Sequence, residues 1–514
     1  MCIRRMKMLM LSLFAGFGVF SLIEAVQAQK LGTAFSPQIP RVWDDEAVRS
    51  WSLSLAGLGQ PPTYVSADYY YRMPERTLYR TYPVYTPGHE PPGYMNWLRQ
   101  QEPEVFALDP TKLKTEADWV KAGEVVFNTA HWWLPPDRQP PETIEDLHDP
   151  AYIKAVGLPV AADGTLPHLR YSIRRKGEVA VVFPMCGGCH TRVLPDGKVI
   201  AGAQGNTPSG LRVSFALRRR SEAQQLAPPS LFAESNVPWL SPDPAERLKS
   251  LSFADYLAML EDARRPGIFP RPGSSWLYPP KIPDLIGVRE RKYLDATGLN
   301  LHRNIGDLMR YATLITDVER LNQYRQHGEF RPLEAPAEPQ TRSRLSEAQL
   351  YALALYIYSL KPPENPNKPS ALTRRGEQIF QREGCAMCHT PPLYTNNKLT
   401  PAEGFTVPEE HKRKYDIPPV SVGTDTRLAL QSKKGTGYYR VPSLRGVWYR
   451  GPFEHNGSVA TLEDWFDPKR LREDYVPTGF KGFGVKTRAV KGHEFGLELS
   501  PADKKALIAF LKAL

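Results

Sequence analysis

The sequence predicts a mainly α fold made of two tandem units, the first enlarged by insertions, with long proline-rich loops. The pentapeptide Cys-x-x-Cys-His occurs twice, at 186–190 and at 385–389. The segments around the two copies resemble each other in the same order along the chain. Fifty prolines among 514 residues favour modest helices joined by irregular connections. Together these observations indicate a duplicated helical architecture.

Each pentapeptide carries the residues that attach a c-type haem covalently. Its two thiols form thioethers with the porphyrin vinyl groups, and the histidine that follows binds the iron. The two sets are Cys186, Cys189 and His190, and Cys385, Cys388 and His389. One Cys-x-x-Cys alone would also suit zinc or a redox dithiol. Two complete copies predict two covalently bound haem c groups and leave no cysteine of the mature chain for a disulfide.

The first 28 residues predict a secretory signal peptide. Basic residues precede an apolar run at 8–23, and the small residues at 26–28 suit cleavage. A retained membrane anchor is the alternative, although the run is somewhat short for a span. No later stretch is apolar enough to cross a bilayer. We therefore expect an exported protein, periplasmic in a Gram-negative cell, with no transmembrane span after cleavage.

Residues 29–110 are rich in proline, tyrosine and arginine and show no sustained period apart from a short helix candidate near 96–102. We interpret them as an extended segment wrapped over the core, because their aromatic content is too high for a disordered tail.

Residues 111–360 are interpreted as the N-terminal haem domain with insertions. Its helix candidates lie at 115–127, with Thr115 as the N-cap, at 246–262 and at 345–360. Proline-rich residues 361–370 cannot continue a helix and mark the linker.

Residues 371–514 are interpreted as the C-terminal cytochrome c domain, which begins with a helix and closes with another at 500–514. An internal repeat supports the division, because 123–127 matches 376–380 and 345–360 matches 499–514. Each half therefore has a leading helix, a pentapeptide, a turn, a histidine region and a closing helix. That order resembles a class I cytochrome c fold, in which the first and last helices cross beside the haem.

The sixth ligand of the second haem can be narrowed by elimination. No methionine follows Met387, so this unit cannot supply the distal methionine that is usual in class I cytochromes c. The remaining alternatives are His411, His455, His493, another side chain such as tyrosine, or no ligand. We favour His493, which lies in a glycine-containing loop before the closing helix. His455 is the alternative ligand, but a hydrogen-bonding role beside the haem suits it better.

No residue of the first unit is selected as a sixth ligand. The candidates after the first motif are Met259, Met309, His302 and His327. Met309 lies in a helical stretch where core packing is the simpler interpretation. An open sixth position is therefore an alternative, and an open haem iron binds dioxygen or peroxide. His302, Arg303 and Glu319 are the candidate distal acid or base groups.

The C-terminal motifs identify a resemblance. Leu444–Val447, Pro452–Ser458 and Thr461–Glu463, together with the two pentapeptides, resemble the bacterial diheme cytochrome c peroxidase superfamily. That superfamily includes methylamine-dehydrogenase maturation enzymes and diheme rubber oxygenases, and the chain length and the His493 motif look closer to the rubber-oxygenase-like branch. The resemblance is clearest across 370–514 and weaker across 110–360.

The resemblance implies a haem-dependent oxidoreductase, peroxidase-like or oxygenase-like. The haem on His190 would react with peroxide or dioxygen, and the haem on His389 would relay electrons. Peroxidases of the group place methionine on the electron-transfer haem, and this chain has none to place there. Family members often bind calcium between the domains, but the sequence shows no dedicated acidic loop. The alternative function is a pure electron-transfer cytochrome with both haems six-coordinate, or a docking protein whose haems move electrons within a larger complex.

The formal net charge of +11 suggests surfaces that attract acidic partners. Basic runs occur at 218–220 and at 412–414. In an exported protein they favour solvated faces or docking patches rather than nucleic-acid binding. The expected partners are a small-molecule oxidant or substrate and a redox protein such as a small cytochrome, a cupredoxin or a quinol-linked donor.

Overall fold

A computed structural model describes residues 35–130, 142–219, 230–271, 273–316, 322–323, 343–418 and 420–514. The signal-peptide prediction at 1–28 lies outside the described residues. The helices are α1 Asp45–Arg49, α2 Ala67–Arg72, α3 Tyr94–Gln100, α4 Glu116–Asn128, α5 Ile144–Leu147, α6 Pro150–Val156, α7 Ser209–Arg218, α8 Ser230–Ser235, α9 Phe253–Ala263, α10 Ile305–Thr316, α11 Glu347–Ser359, α12 Ala371–Arg382, α13 Glu409–Lys414, α14 Arg427–Leu430, α15 Leu462–Trp465 and α16 Pro501–Ala513. The strands are β1 Thr63–Tyr64, β2 Thr81–Tyr85, β3 Thr165–Arg175, β4 Glu178–Val182, β5 Thr191–Val193, β6 Val199–Ala201, β7 Asn322–Gln323, β8 Leu399–Pro401 and β9 Tyr438–Arg440.

The fold mixes helices with small antiparallel sheets, so the expectation of a mainly α chain holds only in part. The order β2-β3-β4 forms a three-stranded sheet, and β1-β7, β5-β6 and β8-β9 form two-stranded ones. The 11-residue strand β3 lies in the insertion before the first pentapeptide. Leu166, Leu169, Tyr171 and Ile173 of β3 are buried in a cluster that includes side chains of α5 and α6. The sheet thus gives the insertion a core of its own.

The leading and closing helices of the first half cross at close range. Thr115 caps α4 through a capping box with Asp118, as the sequence predicts. At the crossing, a Cβ atom placed on Gly123 would lie 1.9 Å from the carbonyl oxygen of Ala352 in α11. Only glycine allows the two backbones to approach so closely. This crossing fixes the direction in which α4 delivers the chain to the first pentapeptide.

The second half repeats the same crossing. Helix α12 leads to the second pentapeptide, and α16 closes the chain. A Cβ atom on Gly376 would lie 2.0 Å from the carbonyl oxygen of Ala506. Gly123 and Gly376 are partners in the sequence repeat, so equivalent glycines make equivalent contacts. The predicted crossing of first and last helices is therefore present in both halves, while their description as class I cytochrome c units stays a prediction.

The described part of 29–110 does more than wrap the core. Trp43 and Trp51 are both 0% exposed and belong to the cluster built around α4 and α11. The indole of Trp43 donates a 2.9 Å hydrogen bond to the carbonyl oxygen of Val65, and that of Trp51 donates one to Leu301. These aromatic side chains supply a large part of the core beneath the first motif.

Three smaller expectations have clear outcomes. The helix expected at 246–262 is divided into two elements. A 3-10 helix covers Glu246–Ser250, and α9 starts at Phe253, after its N-cap Ser252. Residues 361–370 contain no helix or strand. Among the described residues, no helix has the length and apolar character needed to cross a membrane.

Candidate functional site

The first pentapeptide forms a tight turn at the end of α4. The amides of Cys186 and Gly187 donate to the carbonyl oxygen of Phe127, and the amide of His190 donates to Cys186 at 2.9 Å. Cys186, Cys189 and His190 all line one large cavity. Burial raises the pKa of the Cys186 thiol to about 12 and that of Cys189 to about 11, so both are protonated. The turn therefore presents two thiols and one imidazole to the same space.

The imidazole of His190 is oriented by a backbone carbonyl. Its Nδ1 donates a 3.0 Å hydrogen bond to the carbonyl oxygen of Pro283. This bond places the ring proton on Nδ1 and leaves the Nε2 lone pair for a metal. Burial lowers the pKa of His190 to about 4, so the ring is neutral at physiological pH. His190 thus has the tautomer that an iron ligand needs.

The cavity next to His190 has a volume of about 1760 Å³. That exceeds the 300–1,000 Å³ typical of a small-molecule site. One apolar wall comes from α10, where Leu308, Ala312 and Ile315 project at helical spacing. The opposite wall includes Leu393 and Pro442 from the second half of the chain. Both halves therefore enclose the space beside the first pentapeptide.

Cations outnumber anions around this cavity. Of the described residues that line it, twelve are Lys or Arg and five are Asp or Glu. Burial, with the nearby Arg450, lowers the pKa of Lys281 to about 8. Burial, with the nearby Arg291, lowers the pKa of Arg440 to about 9. Such an excess of buried positive charge is costly unless an anion accompanies it.

The donor set and the charge both fit a c-type haem. Two thiols stand ready for thioether bonds, His190 offers a free Nε2, and the cations match the two carboxylates that a haem carries. The four cysteines of the two pentapeptides are free thiols. No cluster of three or more His, Cys, Asp or Glu side chains suited to a metal ion occurs in the described ranges.

The second pentapeptide is built in the same way. A 3-10 helix at Cys385–Met387 follows α12, and the amide of His389 donates to the carbonyl oxygen of Cys385 at 2.9 Å. His389 Nδ1 donates a 3.1 Å hydrogen bond to the carbonyl oxygen of Tyr394. Burial lowers the pKa of His389 to about 4. His389 is therefore a neutral imidazole with Nε2 available, as His190 is.

His493 is placed opposite His389. Their ring centroids are 6.2 Å apart with an interplanar angle of 54°. Because a metal–nitrogen bond is about 2 Å long and an imidazole centre lies roughly 1 Å behind its nitrogen, two imidazoles on opposite faces of one metal have centres about 6 Å apart. The ring of His493 also packs against Trp465 at 5.1 Å and Phe495 at 5.3 Å. The spacing fits axial ligands of one iron, and ligation by His493 stays a prediction.

His455, the alternative ligand, has other contacts. Its Nδ1 lies 3.1 Å from Oε2 of Glu454 and 3.4 Å from Oγ1 of Thr424. Its ring stacks on Tyr439 at 4.5 Å. His411 instead hydrogen-bonds the Tyr438 hydroxyl. These contacts suit the hydrogen-bonding role expected for His455, whose Nε2 is buried without a hydrogen-bond partner.

Two of the three candidate distal groups of the first unit, His302 and Arg303, have partners away from the cavity wall. His302 uses Nδ1 with the carbonyl oxygen of Arg291 at 3.0 Å and Nε2 with the Tyr358 hydroxyl at 2.7 Å. Arg303 is paired with Asp307 at 2.9 Å. Neither His302 nor Arg303 is among the residues that line the cavity. The third candidate, Glu319, lies outside the described residues.

The sequence interpretation missed a polar network that does line the cavity. Tyr311, on α10, donates a 2.6 Å hydrogen bond from its hydroxyl to Asp295. Arg271 donates to the same hydroxyl at 3.1 Å. All three side chains line the cavity. The sequence did contain a signal for Tyr311, which follows Leu308 by three positions and so lies on the same face of the helix. The loop residues Arg271 and Asp295 are brought to Tyr311 only by the fold.

Among the described residues, which do not include the candidate His327, the structure shows no counterpart of His493 beside His190. Met259 and Met309 are both 0% exposed and pack in separate hydrophobic clusters. Neither lines the cavity, and His190 is the one histidine among the described residues that do. Within the described part of the chain, the second motif faces an imidazole while the first faces a wide cavity.

No protein-family model matches the chain. It is 31% identical over 170 residues to cytochrome-c peroxidase IdrP1 of Denitromonas iodatirespirans, a match that covers 28% of this chain and 40% of that protein. It is 28% identical over 159 residues to cytochrome-c peroxidase IdrP1 of Pseudomonas sp. strain SCT, covering 27% of this chain and 39% of that one.

Among solved structures, the chain is similar to a MauG-like protein associated with microbial copper homeostasis. The two are 21% identical, with a TM-score of 0.21, over 33% of this chain and 52% of the other. The matches to the two peroxidases span about two fifths of their length. The sequence similarity supports a distant relation of this chain to cytochrome-c peroxidase-like haem proteins.

Proposed function

We propose that this chain is a two-haem oxidoreductase in which peroxide or dioxygen reacts at the first pentapeptide and electrons are relayed at the second. The observation that carries the proposal is the inequality of the two sites. His389 has His493 at a ring separation of 6.2 Å, whereas His190 borders a cavity of about 1760 Å³. A six-coordinate site suits electron transfer, and a site with space opposite its histidine suits a small oxidant.

The first site would hold its haem through Cys186, Cys189 and His190. A haem bound there would supply an iron that exchanges single electrons and reacts with peroxide or dioxygen. The chain itself supplies orientation, because the Pro283 carbonyl fixes the His190 ring. The cations on the cavity wall supply counter-charge for the haem carboxylates.

The network of Tyr311, Arg271 and Asp295 would handle protons at this site. Arg271 donates to the Tyr311 hydroxyl, and that hydroxyl donates to Asp295. An oxidant that enters the cavity can accept a hydrogen bond from the guanidinium, or from the phenol once its single O–H turns from Asp295 to the oxidant. Positioned proton donors of this kind contribute to the reduction of bound peroxide or dioxygen.

The second site would hold its haem through Cys385, Cys388, His389 and His493. Trp465 and Phe495 flank the His493 ring and limit access to it. A site closed in this way passes electrons without binding an oxidant. A redox protein in the exported compartment, such as a small cytochrome, a cupredoxin or a quinol-linked donor, would supply the electrons.

Stopped-flow mixing of the fully reduced protein with hydrogen peroxide, and separately with dioxygen, tests this proposal. We expect at least one oxidant to oxidise the protein rapidly, and Tyr311→Phe to slow that reaction about tenfold or more. Tyr439→Phe is the matched control, since Tyr439 is a buried tyrosine of the second half whose hydroxyl donates to the backbone carbonyl of Asp425. Failure of both oxidants to react would overturn the proposal in favour of a pure electron-transfer cytochrome.

A further inference from the structure

Arg470 is a buried arginine whose side-chain hydrogen bonds all go to backbone carbonyls, while its guanidinium lies over the Trp465 ring. It lies in a 3-10 helix at Pro468–Leu471, and the residue is 1% exposed. Nε donates to the carbonyl oxygen of Trp465 at 2.9 Å, and Nη1 donates to Val490 at 2.5 Å. Nη2 donates to the carbonyl oxygens of Gly492 and His493, each at 2.9 Å. One guanidinium thus joins α15 to three residues of the loop at 490–493.

The charge of Arg470 has no carboxylate in contact. No Asp or Glu oxygen lies within ion-pair distance among the described residues, and burial lowers the pKa of Arg470, while Glu454 and Glu494 act on it only from a distance. A buried guanidinium without an ion pair is costly. Arginine offers five N–H donors in one rigid plane, which no other side chain can do. The role of Arg470 is therefore to fix the geometry of the loop through several hydrogen bonds, and not to neutralise a carboxylate.

The loop that Arg470 holds has a strained backbone at His493, the proposed iron ligand. His493 has φ +50°, in the left-handed region that non-glycine residues seldom adopt. Its amide donates a 2.6 Å hydrogen bond to the carbonyl oxygen of Val422. A Cβ atom on Gly492 would lie 2.3 Å from the backbone nitrogen of Thr424, so the loop is pressed against a neighbouring segment. Strain of this kind persists only where surrounding contacts impose it.

We propose that Arg470 is the positioning residue that holds the 490–493 loop in its strained form and so sets the His493 ring opposite His389. The inference rests on the proposed ligation of iron by His493. Val422 fixes the amide side of His493, and Arg470 fixes the carbonyl side. His493 Nδ1 is buried without a hydrogen-bond partner, so no hydrogen bond at that ring nitrogen aims the imidazole. Its direction is therefore set through the backbone and by the packing of the ring against Trp465 and Phe495.

Three variants of the full-length holoprotein test the inference: Arg470→Met, Arg470→Lys and His493→Gly. The readouts are the EPR spectrum of the oxidised protein and the rate of carbon monoxide binding to the reduced second haem. We expect Arg470→Met to produce a high-spin fraction at the second haem and to speed carbon monoxide binding there at least tenfold. Arg470→Lys should give an intermediate result, because an ammonium cannot reach four carbonyls in one plane. Added imidazole should restore the low-spin signal.

Arg310→Met is the matched control, because Arg310 is also buried and binds the carbonyl of Val42 and the carboxylate of Asp307 far from this loop. It should lower stability without changing the second haem, and an equal spectral change would show general destabilisation and overturn the inference.

If His493→Gly becomes high-spin while the Arg470 variants stay like wild type, the role of Arg470 is wrong and the ligand assignment stands. If His493→Gly is unchanged, the ligand assignment itself fails. Should Arg470→Met not fold, an unchanged Arg470→Lys spectrum is the overturning result.

Discussion

The two pentapeptide sites share their construction and differ in what stands opposite the histidine. In both, a helix crossing at a glycine delivers the chain to the motif, and a backbone carbonyl accepts from Nδ1 of the histidine. Opposite His389 lies His493, in a strained loop whose backbone carbonyls accept hydrogen bonds from Arg470. Opposite His190 lies a cavity with a polar network at its wall.

Different parts of the chain determine how each cofactor would be attached and how it would react. Attachment depends on the pentapeptide and on the crossing helices, which the repeat preserves almost unchanged. The difference comes from segments outside the repeat: insertion residues enlarge the first site, and the loop at 490–493 closes the second. Under the proposed function, one scaffold would therefore hold two haems in different roles by varying the distal side alone.

The largest effect is expected from the crossing glycines. Gly123→Ala places a methyl group 1.9 Å from a backbone carbonyl, and Gly376→Ala places one at 2.0 Å. Backbones in packed helices cannot move apart freely, so each change should cost about 3 kcal/mol or more. Thermal unfolding followed at each haem should show that each variant loses mainly its own unit.

Gly177→Ala is the control for this pair. Gly177 has a positive φ of +87°, and an added methyl group would meet nothing within 4 Å, so only the backbone cost of roughly 1 kcal/mol applies. Equal losses in all three variants, or loss of both haem units from either crossing variant, would break the comparison between two separately built sites.

An effect at the lower end of the range given for the crossing glycines is expected from Asp307, which lies on α10, the helix that forms one wall of the cavity. Asp307 is 0% exposed and accepts hydrogen bonds from Arg303 and Arg310. Burial alone would raise the pKa of its carboxyl, but these partners outweigh burial and lower it. Asp307→Asn should cost about 3 kcal/mol at pH 7, because it leaves Arg310 buried beside a neutral group.

The pH dependence sharpens this prediction. A carboxyl whose pKa is lower in the folded state contributes stability that is present above its unfolded pKa of about 3.9 and is lost as the pH falls through the folded value. The difference between wild type and Asp307→Asn should therefore shrink below about pH 4. Denaturant unfolding at neutral pH and at about pH 3 measures it, and a difference that stays constant would show that Asp307 is not charged in the folded protein.

Much of the shared scaffold could be predicted from the sequence. The capped helices, the matched glycines Gly123 and Gly376 and the approach of His493 to His389 all follow from local patterns and elimination. The sheet around β3 was missed because its alternating strand lies inside an insertion with no repeat partner. The assignment of His302 and Arg303 as distal groups stays a prediction, and their side-chain directions could not be read from the sequence because they depend on tertiary contacts, here with Tyr358 and Asp307. Arg470 left no signal, since contacts to carbonyls do not depend on the neighbouring residue types.

Carbon monoxide titration of the reduced protein, with EPR of the oxidised protein, tests the inequality of the two sites most directly. Carbon monoxide binds rapidly to an iron whose sixth position is open, and slowly where a protein ligand must first dissociate. We expect one equivalent to bind rapidly, with one high-spin and one low-spin haem in the oxidised protein. Two low-spin haems that bind no carbon monoxide rapidly, or two equivalents bound rapidly, would contradict the assignment of a reactive first site and a closed second one.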